Sequence, residues 1–216
     1  MTSPAMRHRE RVLAAQAASL AANTGSRQLT GSAYDLMLAK LAEDKRVLKS
    51  IQSIQQKIAV KRQRLPEYDA WIAGVLDADQ PVQDDVFATL MVWHIDTGAL
   101  ESALDMAAHL LKHDLKLPEH YQRDVATLVV EEIADQSEKP GTTVTVDQLL
   151  RVGQLSEGRD MPDEVRAKLH KAVGLALRDT SPTQALDHLQ HALRLNPRLG
   201  IKTEIGKLQK QLVVAT

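Results

Sequence analysis

The stretch YDLMLAKLAEDKRVLKSIQSIQQKIAVKRQRL, residues 34–65, decides how the chain is read. Steps of three and four pick out Met37, Leu41, Asp44, Leu48, Ile51, Gln55, Ile58, Arg62 and Leu65, a heptad seam apolar at six of its nine positions. No Gly or Pro interrupts the run, so the spacing predicts one long helix from Tyr34 to Leu65. Val47 and Ile54 widen the stripe beyond a strict two-stranded zipper, which fits a face packed in a multi-helix bundle or an oligomer. The other faces are basic: eight Lys and Arg lie between Lys40 and Arg64 against two acids, Glu43 and Asp44. Such a helix either keeps a bundle soluble or holds a polyanion.

The charge pattern extends the second reading. Formal charge is −1 over 216 residues, but residues 1–65 carry +8 and residues 66–216 carry −9. A basic third attracts DNA phosphates in a salt-dependent way; alternatively it pairs with the acidic part of its own chain or of a neighbour. The candidate DNA-binding residues are Arg7, Arg9, Arg11, Arg27, Lys40, Lys45, Arg46, Lys49, Lys57, Lys61, Arg62 and Arg64. Aromatic residues make up 3% of the chain, too few for a base-stacking platform on single strands. The chain has no cysteine, which excludes disulfides, thiolate zinc sites and cysteine nucleophiles. The start at Met1 lacks the apolar core of a signal peptide, and no run is long enough to span a bilayer, so a soluble, cytoplasmic protein is expected.

Around the seam, helices follow one another. Residues 4–22 read as an Ala-rich helix with Arg7, His8, Arg9 and Arg11 in its first turns. Few large apolar groups anchor it, so it is expected to fray when free and order on a partner, or to be a disordered tail. Thr24-Gly25-Ser26 and Thr30-Gly31-Ser32 mark a loop, with Ser32 as the expected cap of the long helix. Past Pro66, a helix carrying Tyr68, Trp71, Ile72, Val75 and Leu76 leads to a break at residues 77–84. Two apolar helices then meet at Asp96-Thr97-Gly98 as a helical hairpin. Further helices are expected over 119–136 and 146–155, with the β-branched run Thr142 to Val146 as a loop. Pro162 opens another, and the chain closes on an amphipathic helix, Leu199 to Val213. Gly174, Leu177, Ala185, Leu189, Ala192 and Pro197 fall at tetratricopeptide-like spacing, a packing signature that carries no chemistry.

Catalytic motifs are missing. There is no GxxxxGK[ST] loop, no GxSxG and no HExxH. His109 and His113 stand four apart beside Lys112 and Asp114, a spacing that can hold a metal but is read as a surface pair. Asp84, Asp85, Glu131 and Glu132 are the dense acids, and nothing in their spacing makes them converge on a nuclease metal. No catalytic residue, no metal site and no cofactor is assigned.

Several strings are shared with a known family. Met1-Thr-Ser-Pro-Ala with Arg7-His8, Tyr34-Asp-Leu-Met-Leu-Ala-Lys-Leu-Ala-Glu-Asp, Gln83-Asp-Asp, Trp93-His-Ile-Asp-Thr-Gly and Asp160-Met-Pro-Asp-Glu-Val-Arg-Ala-Lys-Leu-His-Lys run in order along nearly the whole chain. Together they resemble the gpM-type terminase small subunit of temperate cohesive-end tailed phages. The resemblance implies a subunit that recognises viral DNA at its packaging start, assembles as a homo-oligomer, and works with a large ATPase subunit in the host cytoplasm. The family is often labelled the endonuclease subunit, yet the matched strings hold no nuclease constellation. Some relatives continue into a basic, Pro-containing tail; the sequence here stops at Thr216, which puts any DNA contact made by such a tail in doubt.

The expected architecture is therefore all-α: a long basic heptad-patterned helix plus helical hairpins, the C-terminal one tetratricopeptide-like. Its parts are a basic DNA-binding and oligomerisation region (1–65), a central hairpin domain (66–136) and a C-terminal helical region (137–216). The expected function is oligomeric binding of packaging-start duplex DNA together with the terminase large subunit. Two alternatives stand beside it, a helical-repeat scaffold without DNA contact and a metal-dependent endonuclease.

Overall fold

The computed structural model describes residues 3–25 and 28–214. Within them the regular elements are helices: α1 (Pro4–Asn23), α2 (Ser32–Ser50), α3 (Ile54–Arg64), α4 (Asp69–Ala78), α5 (Asp85–Thr97), α6 (Leu100–Lys112), α7 (Val125–Ser137), α8 (Val146–Leu155), α9 (Asp163–Leu177), α10 (Pro182–Leu195) and α11 (Lys202–Val214). An isolated parallel bridge joins Gln28 and Gln83. The all-α class is as the sequence implies. Helix packing groups the chain into two compact units, residues 1–125 and 126–216, and the basic third lies inside the first. No helix of the described residues is long and apolar enough to cross a membrane.

The long helix expected over 34–65 is two helices. Ile51 leaves α2 in an extended conformation, φ −92°, ψ 131°. Ser53 then caps α3, its side chain accepting the Gln56 N–H at 3.3 Å, while Ser50 Oγ donates to the Val47 carbonyl at 2.7 Å. These two serines offer the backbone local alternatives to helical hydrogen bonds, so the chain breaks without Gly or Pro. The seam survives unevenly. Leu41, Asp44 and Leu48 are buried in α2, whereas α3 buries no residue. Ser32 is not the cap: Gly31 precedes α2 at φ 110° and no side chain bonds the helix start.

The α1 segment is docked, contrary to the frayed or tail-like expectation. Ala14, Ala18 and Ala21 are buried, and α1 packs on α4. A Cβ built on Gly74 would lie 2.7 Å from Ala14 Cβ and collide with the Arg11 carbonyl. Close backbone approach through small residues thus replaces the large apolar anchors the sequence lacks. An Arg11–Asp77 ion pair spans the same contact.

The core of the first unit is α5, buried on nearly every side, as a helix apolar all round must be. Asp84 starts it. Its Oδ1 accepts the Phe87 N–H at 2.9 Å and its Oδ2 the Trp71 indole N–H at 2.8 Å. α6 packs against α5 as the hairpin expected, turning at Gly98 with φ 78°. α6 ends in a Schellman motif, with Leu115 N–H bonded to the Leu110 carbonyl and Asp114 in the left-handed conformation at φ 52°. The helix expected over 119–136 begins later, at Val125.

In the second unit, α8 starts on a capping box that the sequence reading missed: Thr145 Oγ1 accepts the Gln148 N–H, and Gln148 Oε1 accepts the Thr145 N–H. α9 and α10 form a tight hairpin in which a Cβ on Gly174 would fall 2.7 Å from Leu189 Cγ. Ala185, Leu189 and Ala192 are buried there. What is present is a close-packed helical hairpin; membership of a tetratricopeptide array does not follow from it. Lys168 pairs with Glu131 and Asp135, and Lys171 with Glu138, tying α9 to α7.

Candidate nucleic-acid interface

The basic helices are built around a buried acid. Asp44 is 5% exposed. It accepts the Tyr68 hydroxyl at 2.7 Å and faces Lys40 Nζ at 3.2 Å and Arg64 Nε at 3.4 Å. Lys40 also reaches Glu67 at 2.8 Å and lies 4.2 Å over the Tyr68 ring. Burial, and then the hydrogen bond to Asp44, hold the Tyr68 phenol far above its ordinary pKa. Lys40 holds Glu67 below its ordinary range.

A second group of cations closes the end of α5. Lys61 pairs with Asp96 and sits 5.8 Å from the Trp93 ring centroid. Arg62 donates to the Thr97 carbonyl at 2.9 Å. Cations at a helix C-terminus satisfy its last carbonyls and its negative dipole end, so these two hold α3 against α5.

The twelve sequence candidates therefore divide. Arg11, Lys40, Arg46, Lys61 and Arg64 are engaged in ion pairs within the first unit, and Arg62 in the carbonyl bond just described. Lys45 is half-buried, 3.5 Å from Thr89 Oγ1, and burial lowers its pKa. It lines a groove of about 820 Å³ with Lys116, His120, Asp85, Gln83 and Gln28. Arg27 lies outside the described residues. Arg7, Arg9 and Lys49 are exposed and Lys57 is half-exposed, and none of the four makes an ion pair among the described residues. Arg7 and Arg9 stand in the first two turns of α1, which has no acid in its first turn. There the positive helix end and the side chains repel one another and jointly attract an anion.

Of the acids weighed as metal ligands, Asp84 is committed to capping α5 and to Trp71. Sequence reasoning missed a different group. His109 is not a surface residue but is 5% exposed, and it meets Asp79, thirty residues earlier in the chain. His109 Nδ1 lies 3.4 Å from Asp79 Oδ1, and His113 Nε2 lies 2.7 Å from the same oxygen. Lys112 pairs with Asp79 Oδ2. Lys112, then His113, hold the Asp79 carboxyl well below the usual carboxylate range, while burial lowers His109. The i, i+4 histidines were visible in the sequence; the approach of the α4 end that supplies Asp79 was not.

Comparison with known proteins adds independent findings. The model of the family described as "Phage small terminase subunit" matches residues 38–164. The chain is 42% identical over 216 residues to the "Terminase, endonuclease subunit" of Escherichia phage P2, an alignment covering 98% of this chain and 86% of that protein. No solved structure matches the chain.

Proposed function

The chain belongs to the phage small terminase subunit family, with a role in phage DNA packaging, and from that premise we propose that it grips packaging-start duplex DNA as a homo-oligomer and hands it to the terminase large subunit. The observation that carries this reading is the division of the basic third. Seven of its cations make an ion pair or hydrogen bond within the fold, and Arg7, Arg9, Lys49 and Lys57 make no ion pair among the described residues. Phosphate contacts of this kind are individually weak and need no base recognition. Repetition across an oligomer raises them to useful affinity through effective concentration.

The oligomer is supported by α2 and α3. Leu36 is 69% exposed and Ile54 is 74% exposed, and no residue of α3 is fully buried. Apolar side chains exposed in this way are suited to contact with a neighbouring copy. Solution mass, with and without a cohesive-end DNA fragment at low and high salt, tests the reading. An oligomer that binds the fragment and releases it as salt rises is expected. A monomer that ignores the fragment in dilute buffer overturns it.

The name of the phage P2 relative favours a second reading, in which the subunit itself cuts DNA. Divalent-metal-dependent cleavage by the purified chain alone would establish it.

A further inference from the structure

Asp79, His109 and His113 converge where two helices end, and we propose that they bind one divalent transition-metal cation of the zinc class. One ligand atom from each residue lies within 4.8 Å of the other two. Tetrahedral zinc with nitrogen and oxygen ligands at about 2.0–2.2 Å needs ligand atoms separated by little more than 3 Å. The 3.4 Å separation of His109 Nδ1 from Asp79 Oδ1 is already of that size, and the 2.7 Å separation of His113 Nε2 has to open by a fraction of an ångström.

The site is built rather than incidental. His109 is buried, its ring edge-on to Phe87 at 5.3 Å, so its orientation is fixed by the core. Its Nδ1 is the ring atom turned to Asp79. Asp79 caps α4 in the left-handed conformation, φ 46°, ψ 47°. Asp114, which directly follows His113, is also left-handed. Among the described residues these are the non-glycine positions with positive φ, and both are at this cluster. Both are helix C-terminal positions, where a left-handed residue ends the helix, and they end α4 and α6 beside the cluster. The contacts of Asp79 with His109 and His113 join the end of α4 to the end of α6, and the negative dipole end of α6 adds to the attraction for a cation.

The donor set selects the metal class. Two imidazoles and one carboxylate suit zinc and its transition-metal neighbours; calcium and magnesium favour all-oxygen shells. Lys112 occupies Asp79 Oδ2 and leaves Oδ1 to the imidazoles, which orients the carboxylate as an outer-shell partner does. Three protein ligands leave a fourth position for water, on the side where Asp79 is 46% exposed.

The test is calorimetric titration of the untagged, chelator-stripped full chain with zinc chloride near neutral pH, with magnesium chloride as control. One zinc per chain is expected, with a rise in melting temperature and no response to magnesium. Asp79→Asn keeps the left-handed backbone accessible, and His113→Gln replaces a side chain that is 13% exposed with one of similar length that can still hydrogen-bond, so both should fold. Each should weaken zinc at least ~10-fold, since even an outer-shell loss costs that much. Absence of zinc binding, or equal binding by both variants, overturns the proposal.

Discussion

Tyr68 donates its hydroxyl to Asp44 at 2.7 Å, and this buried bond fastens α2 to the turn before α4. Asp44 is a seam position where a heptad would take an apolar residue. Its burial is tolerated because Tyr68, Lys40 and Arg64 surround it. Tyr68→Phe removes one donor from a buried carboxylate, and a loss of about 1–3 kcal/mol is expected in urea unfolding. In an Asp44→Asn background the same substitution should cost less, because the two residues share one interaction. Strictly additive losses would separate them.

Asp84 sets a pH dependence in the first unit. Burial pushes its carboxyl from 3.8 up to about 6, against the opposing hydrogen bonds from Phe87 and Trp71. Between those values the folded chain keeps a proton that the unfolded chain has released, so stability falls as pH rises through the window. The size is on the order of 3 kcal/mol. Trp71 and Trp93 are the chain's two tryptophans and both lie in this unit, so their fluorescence reports its unfolding. Asp84→Asn should flatten the slope; an unchanged slope contradicts the assignment.

The second unit should respond in the opposite direction. His170 Nδ1 lies 3.0 Å from His188 Nδ1, and the His170 ring centroid is 4.3 Å from that of His191. Burial, then the charges of His191, His188, Arg166 and Arg194, push His170 from 6.5 down to about 4. The unfolded chain binds the proton first, so stability contributed by this group is lost as pH falls from 6.5 toward 4. Imidazole resonances followed by NMR should show His170 titrating well below an ordinary histidine. His191→Gln should move it upward.

Gly74 tests how α1 is held. An alanine there meets the α1 backbone and Ala14, which a flexible side chain cannot relieve. Gly74→Ala should cost about 1–3 kcal/mol by overpacking despite the better helix propensity of alanine. It should also expose α1 to limited proteolysis. Gly174→Ala meets Leu189 Cγ at 2.7 Å and the Ala185 carbonyl at 3.0 Å, so it too should cost stability, less than Gly74→Ala because its backbone contact is longer.

These contacts mark the boundary of what the sequence shows. Apolar periodicity located α4, α5, α6, α8, α9 and α10 closely, because burial dictates their spacing. Periodicity failed at Ile51 to Ser53, where the stripe runs on but two serine side chains take over backbone bonds. It undervalued α1, because alanine and glycine faces dock by proximity and leave no large apolar signature. The basic third was visible as composition, yet composition does not say which cations the fold consumes. Lys61 and Lys57 are four residues apart on α3, and Asp96 engages Lys61. Asp79 was invisible as a partner of His109 for the same reason: the meeting depends on where α4 ends.

The division of the cations is tested most directly by charge reversal in a salt series. Arg7, Arg9, Lys49 and Lys57 are changed together to Glu, with Arg11→Met as a control whose guanidinium is already held by Asp77. Binding to a cohesive-end duplex is then measured as salt increases. The fourfold variant should bind about tenfold more weakly or worse, and its dependence on log salt should become shallower by about one unit for each phosphate no longer neutralised. The control should bind as the parent does. Parental affinity and slope in the fourfold variant, with helicity intact, would show that the DNA is held elsewhere and would contradict the account.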